Sequence, residues 1–142
     1  DPRTGQKGWS FIERAYNFDS AAGIDYTVDV TKPFGSRIVI TSMADGKPFG
    51  MDETYNVAMT SYRASGGGGL LAEIGIDTDK IAERTVEYYP EIREILYEYL
   101  KKNHVIDPAV IGDPAKIGHW SFVPENIAGP AIGRDMNLIF KK

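Results

Sequence analysis

The sequence contains no cysteine and only two histidines among its 142 residues. Without cysteine the chain has no disulfide, no thiolate zinc site and no cysteine nucleophile. No stretch approaches the roughly 18 consecutive apolar residues that a membrane-spanning helix requires, so no membrane span is predicted. A net charge of −4 argues against a nucleic-acid partner bound through a broad basic face. These absences remove most of the chemistry from which a catalytic or metal centre is built.

What remains is an ordinary globular composition. The chain is 42% hydrophobic and 25% charged, close to the average of folded domains, and its length fits a prior of roughly 150 residues per domain. It opens at Asp1 without an initiating Met or an apolar signal segment, which is typical of an excised piece. Residues 1–15 are polar and glycine-containing and predict a loop.

Alternation of apolar and polar residues predicts three strands in the first half of the chain. The pattern covers Ile24–Val30, Arg37–Met43 and Thr54–Thr60. Ala44–Lys47 has the composition of a hairpin turn between the second and third strands. Short connections of this kind predict an antiparallel or mixed sheet.

The second half of the chain is predicted to be mainly helical. Leu70–Ile74 is a candidate short helix, and a longer helix is expected from Pro90, where an apolar stripe begins, to Asn103. Alternation over Asp135–Phe140 predicts a last strand, and Ile81–Tyr88 fits either a strand or a helix. The predicted fold class is α+β, with a mixed, largely antiparallel sheet and flanking helices.

The segment Thr60–Gly69 is the most unusual in the chain, because it joins Tyr62 and Arg63 to four consecutive glycines. Glycines suit a backbone that adopts positive φ or approaches a ligand closely. An aromatic ring with an adjacent cation is suited to stacking on a planar base. Two other interpretations stay open, a flexible connector with a surface tyrosine and an interaction module that binds a sugar or a protein partner through Tyr62–Gly69.

Other motifs are weaker. Gly67, Gly69 and Ala72 loosely match a dinucleotide-binding pattern, but the hairpin-linked strands before them are wrong for that fold. His104 is predicted to cap a helix end, and neither it nor His119 has a carboxylate at ligand spacing. Asp77–Asp79 resembles the start of a calcium loop without its glycine and closing glutamate, and is predicted to be a turn. No catalytic residue and no metal ligand is predicted in this chain.

The chain nevertheless resembles the C-terminal domain of the bacterial nucleotidases, which include the 5′-nucleotidases and the 2′,3′-cyclic-nucleotide 2′-phosphodiesterase/3′-nucleotidases. The resemblance is carried by Tyr16–Asp19, Gly23–Tyr26, Asp29–Pro33, Gly35–Ile38, Asp45–Pro48, Thr54–Ala58 and the signature loop Ser61–Gly68. Ile92–Lys102 and His119–Pro124 are similar to the cyclic phosphodiesterase branch in particular. The similarity covers roughly residues 14–125.

The resemblance implies a role for the signature loop. Domains of this family hold a nucleoside by sandwiching its base between two aromatic rings, and Tyr62 occupies the position of the ring that this loop supplies. Gly66, Gly67 and Gly68 match the family's glycines, and we infer contacts from the adjacent Arg63 and Ser65. Many 5′-nucleotidases have an aspartate where this chain has Gly68, a difference that favours the cyclic phosphodiesterase branch.

The resemblance also implies a division of labour. Family members carry an N-terminal metallophosphoesterase domain with two divalent metal ions, and neither that domain nor the first part of the C-terminal domain, with its second stacking ring, is identified in these residues. The chain is therefore expected to be a single, partial C-terminal domain over residues 1–142. It is expected to bind a nucleotide or nucleoside, to partner the metallophosphoesterase domain and to be inactive alone. The expected location is the periplasm or the cell surface.

Overall fold

A computed structural model describes residues 8–9, 15–111 and 118–140. The predicted loop at residues 1–15 lies almost wholly outside the described residues. The chain divides into two compact units, one formed by residues 1–51 and 111–142 and the other by residues 52–110. The prediction of a single partial domain over residues 1–142 stays a prediction.

The first unit is built on a three-stranded sheet with the order β2-β1-β3, where β1 is Ile24–Asp29, β2 is Ile38–Met43 and β3 is Trp120–Val123. β1 pairs antiparallel with β2 and parallel with β3. The register of β1 against β2 shifts between Asp25 and Tyr26, which is an irregularity of the bulge type. The sheet is therefore mixed, as expected.

A long helix follows the last strand. A 3₁₀ turn, Ala15–Asn17, precedes the sheet, and the helix Glu125–Phe140 follows it. Among the described residues of this unit, the buried apolar side chains are Tyr26 on β1 and Ala128 on the helix. Ala128, Ala131 and Ile139 are more covered than most of their helix neighbours and lie at helical spacing.

The second unit contains short helices and turns before a longer helix. The helices α1 to α5 are Ser61–Ala64, Leu70–Glu73, Ile81–Arg84, Ile92–Asn103 and Pro108–Ile111, and the helix Glu125–Phe140 of the first unit is α6. Two 3₁₀ turns, Gly67–Gly69 and Thr78–Lys80, connect the short helices. Leu71 on α2 is the buried apolar residue of this unit among those described.

Two predicted strands are wrong. Residues 54–60 form no strand and pair with none of the three strands of the sheet. Alternation of apolar and polar residues indicates a possible buried face, but a strand also needs a neighbouring strand to pair with. Asp135–Phe140 is the last part of α6 rather than a strand. Six residues of alternation are too few to exclude a helix. In addition, Gly129, Pro130 and Gly133 lie inside α6, and glycine and proline are typical of turns rather than of helix interiors.

The turn at residues 44–47 forms, but no strand follows it, so it is not the hairpin that was predicted. The remaining predicted strands and helices are confirmed within one or two residues. β1 and β2 match the first two predicted strands, α2 matches the short helix, and α4 runs from Ile92 to Asn103. The ambiguous segment 81–88 begins as helix α3 and continues without regular structure. Three strands with flanking helices confirm the α+β class. None of the helices in the described part of the chain is long and apolar enough to cross a membrane.

Candidate functional site

The Tyr62 loop, residues 60–69, starts with a single helical turn. Thr60 has an extended backbone (φ −70°, ψ 153°), and its hydroxyl oxygen accepts from the backbone N–H of Arg63 at 3.4 Å, as an N-cap does. Ser65 ends the turn, and its hydroxyl donates to the carbonyl of Ser61 at 2.7 Å. Tyr62 and Arg63 therefore lie on α1. The predicted strand Thr54–Thr60 had suggested instead that they lie at the end of a strand.

The glycines after α1 fold back in a way that few other residues allow. Gly66, Gly68 and Gly69 have φ of 93°, 76° and 73°, in the left-handed region that residues with a Cβ rarely adopt. Gly67 is required for a different reason. A Cβ built on Gly67 would lie 2.5 Å from Cε2 and Cζ of Tyr62 and from its carbonyl oxygen. The loop thus brings its own backbone against the tyrosine ring.

About half of the Tyr62 surface is open to solvent. The residue is 52% exposed, and packing against Gly67 fixes one part of its ring. An aromatic ring that is held on one side and open on another can stack on a planar group at little entropic cost. The stacking role of Tyr62 stays a prediction.

Arg63 is placed very differently from its neighbour. It is 7% exposed, and among the described residues it is the buried charged side chain. Its Nη1 donates to the carbonyl oxygen of Gly67 at 2.9 Å, and its guanidinium carbon lies 5.3 Å from the centroid of the Tyr62 ring. The structure therefore brings together Tyr62, Arg63, Ser65 and the glycines, with Arg63 directed into the loop.

The first unit contains a polar group that sequence reasoning missed. Nδ1 of His119, just before β3, lies 3.1 Å from Oδ1 of Asp25 on β1, and the hydroxyl of Ser42 on β2 donates to Oδ2 of the same carboxylate at 3.0 Å. One carboxylate on β1 thus binds a side chain of β2 and the side chain of the residue that precedes β3. His119 has a carboxylate partner after all, but 94 residues separate the two, so no spacing rule could reveal it.

An aromatic cluster surrounds the same strands. The Tyr26 and Trp120 rings stack with centroids 5.9 Å apart, and Phe122 packs edge-on against Trp120 at 5.0 Å. The centroid of the Phe18 ring lies 5.8 Å from that of Trp120, and the two ring planes are tilted by 44°. These rings attach β3 to β1, which explains why the short apolar patch at Trp120–Val123 becomes a strand.

Neither unit offers a metal site in the described ranges 8–9, 15–111 and 118–140, where no three His, Asp or Glu side chains are grouped so as to hold an ion. His104 adopts a left-handed backbone (φ 61°) at the end of α4, and its N–H donates to the carbonyl of Leu100 at 2.6 Å. Asp77–Asp79 forms the cap of a 3₁₀ turn, with the Asp77 carboxylate accepting from the N–H of Asp79.

Comparison with known families confirms the resemblance. Residues 4–73, which include β1, β2 and the Tyr62 loop up to α2, match the family described as 5′-nucleotidase, C-terminal domain. This segment belongs to that family.

A curated relative extends the similarity along the chain. The chain is 31% identical over 140 residues to the trifunctional nucleotide phosphoesterase protein YfkN of Bacillus subtilis (strain 168). The alignment covers 90% of this chain but only 8% of that protein, so the chain spans a small part of its relative's length. No solved structure gives a significant match.

Proposed function

We propose that this chain is the nucleoside-binding part of a bacterial nucleotidase or 2′,3′-cyclic phosphodiesterase, in which it presents Tyr62 to the base of the substrate. The observation that carries the proposal is the Tyr62 ring, half-exposed and packed on Gly67 within a family segment. Its Bacillus subtilis relative is named a nucleotide phosphoesterase protein, which supports the same substrate class.

Stacking supplies affinity without demanding a particular base. A base stacked on an aromatic ring contributes roughly 1–3 kcal/mol, and every base has a π-face to offer. Gly66, Gly67 and Gly68 carry no side chains that would obstruct a base next to the ring. Ser65 is exposed, and because its hydroxyl donates to the carbonyl of Ser61, it would contact the nucleoside as a hydrogen-bond acceptor.

Phosphoester hydrolysis is assigned to a different domain. The proposed N-terminal metallophosphoesterase domain would bind two divalent metal ions, which supply Lewis-acid activation of water and phosphate when they are bound. This chain would orient the nucleoside so that the phosphate reaches that centre. We place the intact protein in the periplasm or at the cell surface, as the family resemblance implies.

The test is a kinetic one, in a protein that carries this chain together with its metallophosphoesterase domain. Because stacking holds the substrate in the ground state and the transition state alike, Tyr62→Ala should raise KM for nucleotides about 5- to 150-fold and change kcat little. Tyr62→Phe keeps the ring and should behave as wild type. An unchanged KM in Tyr62→Ala would overturn the proposal and favour an interaction module that binds a sugar or a protein.

A further inference from the structure

The burial of Arg63 is at odds with a direct contact to a charged ligand. Exposed cations elsewhere in the described chain keep most of their side-chain surface in water, as Lys47 does at 77%. Arg63 is 7% exposed. A guanidinium buried to this extent must be hydrogen-bonded within the protein, because desolvating an unpaired charge is costly.

One hydrogen-bond partner of Arg63 lies in the glycine turn. Its Nη1 donates to the carbonyl oxygen of Gly67 at 2.9 Å, and Gly67 is the residue against which the Tyr62 ring packs. The guanidinium also lies 5.3 Å from the centroid of that ring, within the range of a cation–π interaction. Arg63 therefore interacts both with Gly67 and with the Tyr62 ring that packs against it.

Helix α1 needs such support because it is one turn long. A helix this short is not stable by its own backbone bonds, so the direction of the Tyr62 ring depends on contacts outside the turn. The hydroxyl of Ser65 bonds back to Ser61 within the turn. The Arg63 side chain, by contrast, reaches from α1 to the glycine turn.

We propose that Arg63 is the positioning residue of this site: it fixes Gly67, and through Gly67 the Tyr62 ring, without touching the nucleoside. The proposal rests on the proposed function insofar as the ring is a stacking platform. In this role the buried Arg63 side chain and its hydrogen bond to Gly67 orient the Tyr62 ring, and the Arg63 guanidinium makes no contact with the ligand.

The test combines a measurement on the free chain with a measurement of binding. Arg63→Met fills the buried space but cannot donate, whereas Arg63→Lys keeps a donor and the charge. In the ligand-free protein, NMR should show that the nuclear Overhauser effect between the Tyr62 ring and Gly67 is lost in Arg63→Met and retained in Arg63→Lys. Titration should show adenosine binding weakened about fivefold or more in Arg63→Met and largely restored in Arg63→Lys.

A comparison of adenosine with adenosine monophosphate separates positioning from direct contact. Positioning predicts the same fold-loss for both ligands, because the ring is displaced in either case. A much larger loss for the monophosphate, with the Tyr62–Gly67 effect intact in the free chain, would overturn the proposal. If Arg63→Met fails to fold, Arg63→Gln serves instead, because it keeps an N–H donor without the charge. For Arg63→Gln, positioning predicts that the Tyr62–Gly67 nuclear Overhauser effect is retained and that the affinity for adenosine and for adenosine monophosphate changes equally.

The two proposals fail in different ways. If wild-type chain binds adenosine at Tyr62 but Arg63→Met binds it equally well, the positioning role is wrong and the nucleoside site stands. If wild type shows no adenosine binding while Arg63→Met still loses the Tyr62–Gly67 effect, the positioning role stands and the nucleoside site is wrong.

Discussion

The ring of Tyr62 lies so close to Gly67 that a methyl group on Gly67 would fall 2.5 Å from two of the ring carbons. Real carbon atoms do not approach so closely, so any residue other than glycine at position 67 must displace the ring or the backbone. The orientation of the Tyr62 ring, the proposed stacking surface, therefore depends on glycine at position 67.

Gly67→Ala should accordingly weaken nucleoside binding. We expect a loss of adenosine affinity comparable with loss of the stacking ring, about 5- to 150-fold, together with shifts of the Tyr62 ring protons in the free chain. Gly69→Ala is the matched control, because a Cβ at Gly69 meets nothing within 4 Å although its φ is 73°. That control should cost roughly 1–2 kcal/mol of stability through backbone strain and leave the ring in place. Wild-type affinity in Gly67→Ala would contradict this relationship.

The Asp25–His119 pair should contribute measurably to the stability of the first unit. His119 is 16% exposed at its side chain and Asp25 is 41% exposed, so a hydrogen bond between them is only partly screened by water. We expect a coupling of about 0.5–1.5 kcal/mol between His119→Ala and Asp25→Ala in a double-mutant cycle of chemical denaturation.

Ser42→Ala provides the control for that cycle, because Ser42 bonds to the other oxygen of the same carboxylate. It should couple to Asp25→Ala as well, but only weakly to His119→Ala. Free energies for Asp25→Ala and His119→Ala that simply add would show that the close approach of the two side chains does not stabilise the sheet.

Asp29 provides a prediction about pH. Its carboxylate accepts from the hydroxyl of Thr31 at 2.6 Å and from the backbone N–H of Thr31 at 2.9 Å. These two bonds, with the hydroxyl contributing more, lower the pKa of Asp29 below its ordinary value of 3.8. Thr31→Val removes the hydroxyl and should raise the pKa of Asp29 towards that value, as measured by NMR titration of the carboxyl carbon.

The sign of the stability effect follows from the lowered pKa. A carboxyl group with a depressed pKa in the folded state stabilises the protein above its unfolded-state value, and that contribution is lost as the pH falls through the folded-state value. The difference in stability between wild type and Thr31→Val should therefore be present at neutral pH and shrink in acid below about 3.8. The pKa of Asp45, which Lys47 lowers in a separate turn, should not change. An unchanged Asp29 pKa in Thr31→Val would show that the hydroxyl bond is not the cause.

The sequence predicted those parts of the fold whose signal is local. β1 and β2 were predicted from the alternation of apolar and polar residues within each segment, and α4 begins two residues after Pro90 and ends at Asn103, as local helix signals indicate. β3 is four residues long and has its partner, β1, at the other end of the chain, so sequence reasoning saw only an apolar patch. The apparent strand at 54–60 has alternation but no strand beside it.

The candidate site was predictable only in part for the same reason. Four glycines beside an aromatic residue are visible in the sequence, and they led to Tyr62. The sequence does not show why each position requires glycine. Gly66 is required by its positive φ and Gly67 by its close approach to Tyr62, and the sequence does not distinguish these two causes. Likewise, the burial of Arg63 follows from how the loop folds back, and the pairing of His119 with Asp25 depends on the parallel pairing of β1 with β3.

The most direct test of the central claim is an NMR titration of this chain with adenosine at millimolar concentrations. We predict that backbone signals of residues 61–68 shift in a saturable way in the wild type and in Tyr62→Phe, and that Tyr62→Ala abolishes the shifts while the signals of the first unit stay in place. Saturable shifts that persist in Tyr62→Ala, or an absence of shifts at residues 61–68 in the wild type, would contradict the assignment of this loop as a nucleoside-binding site.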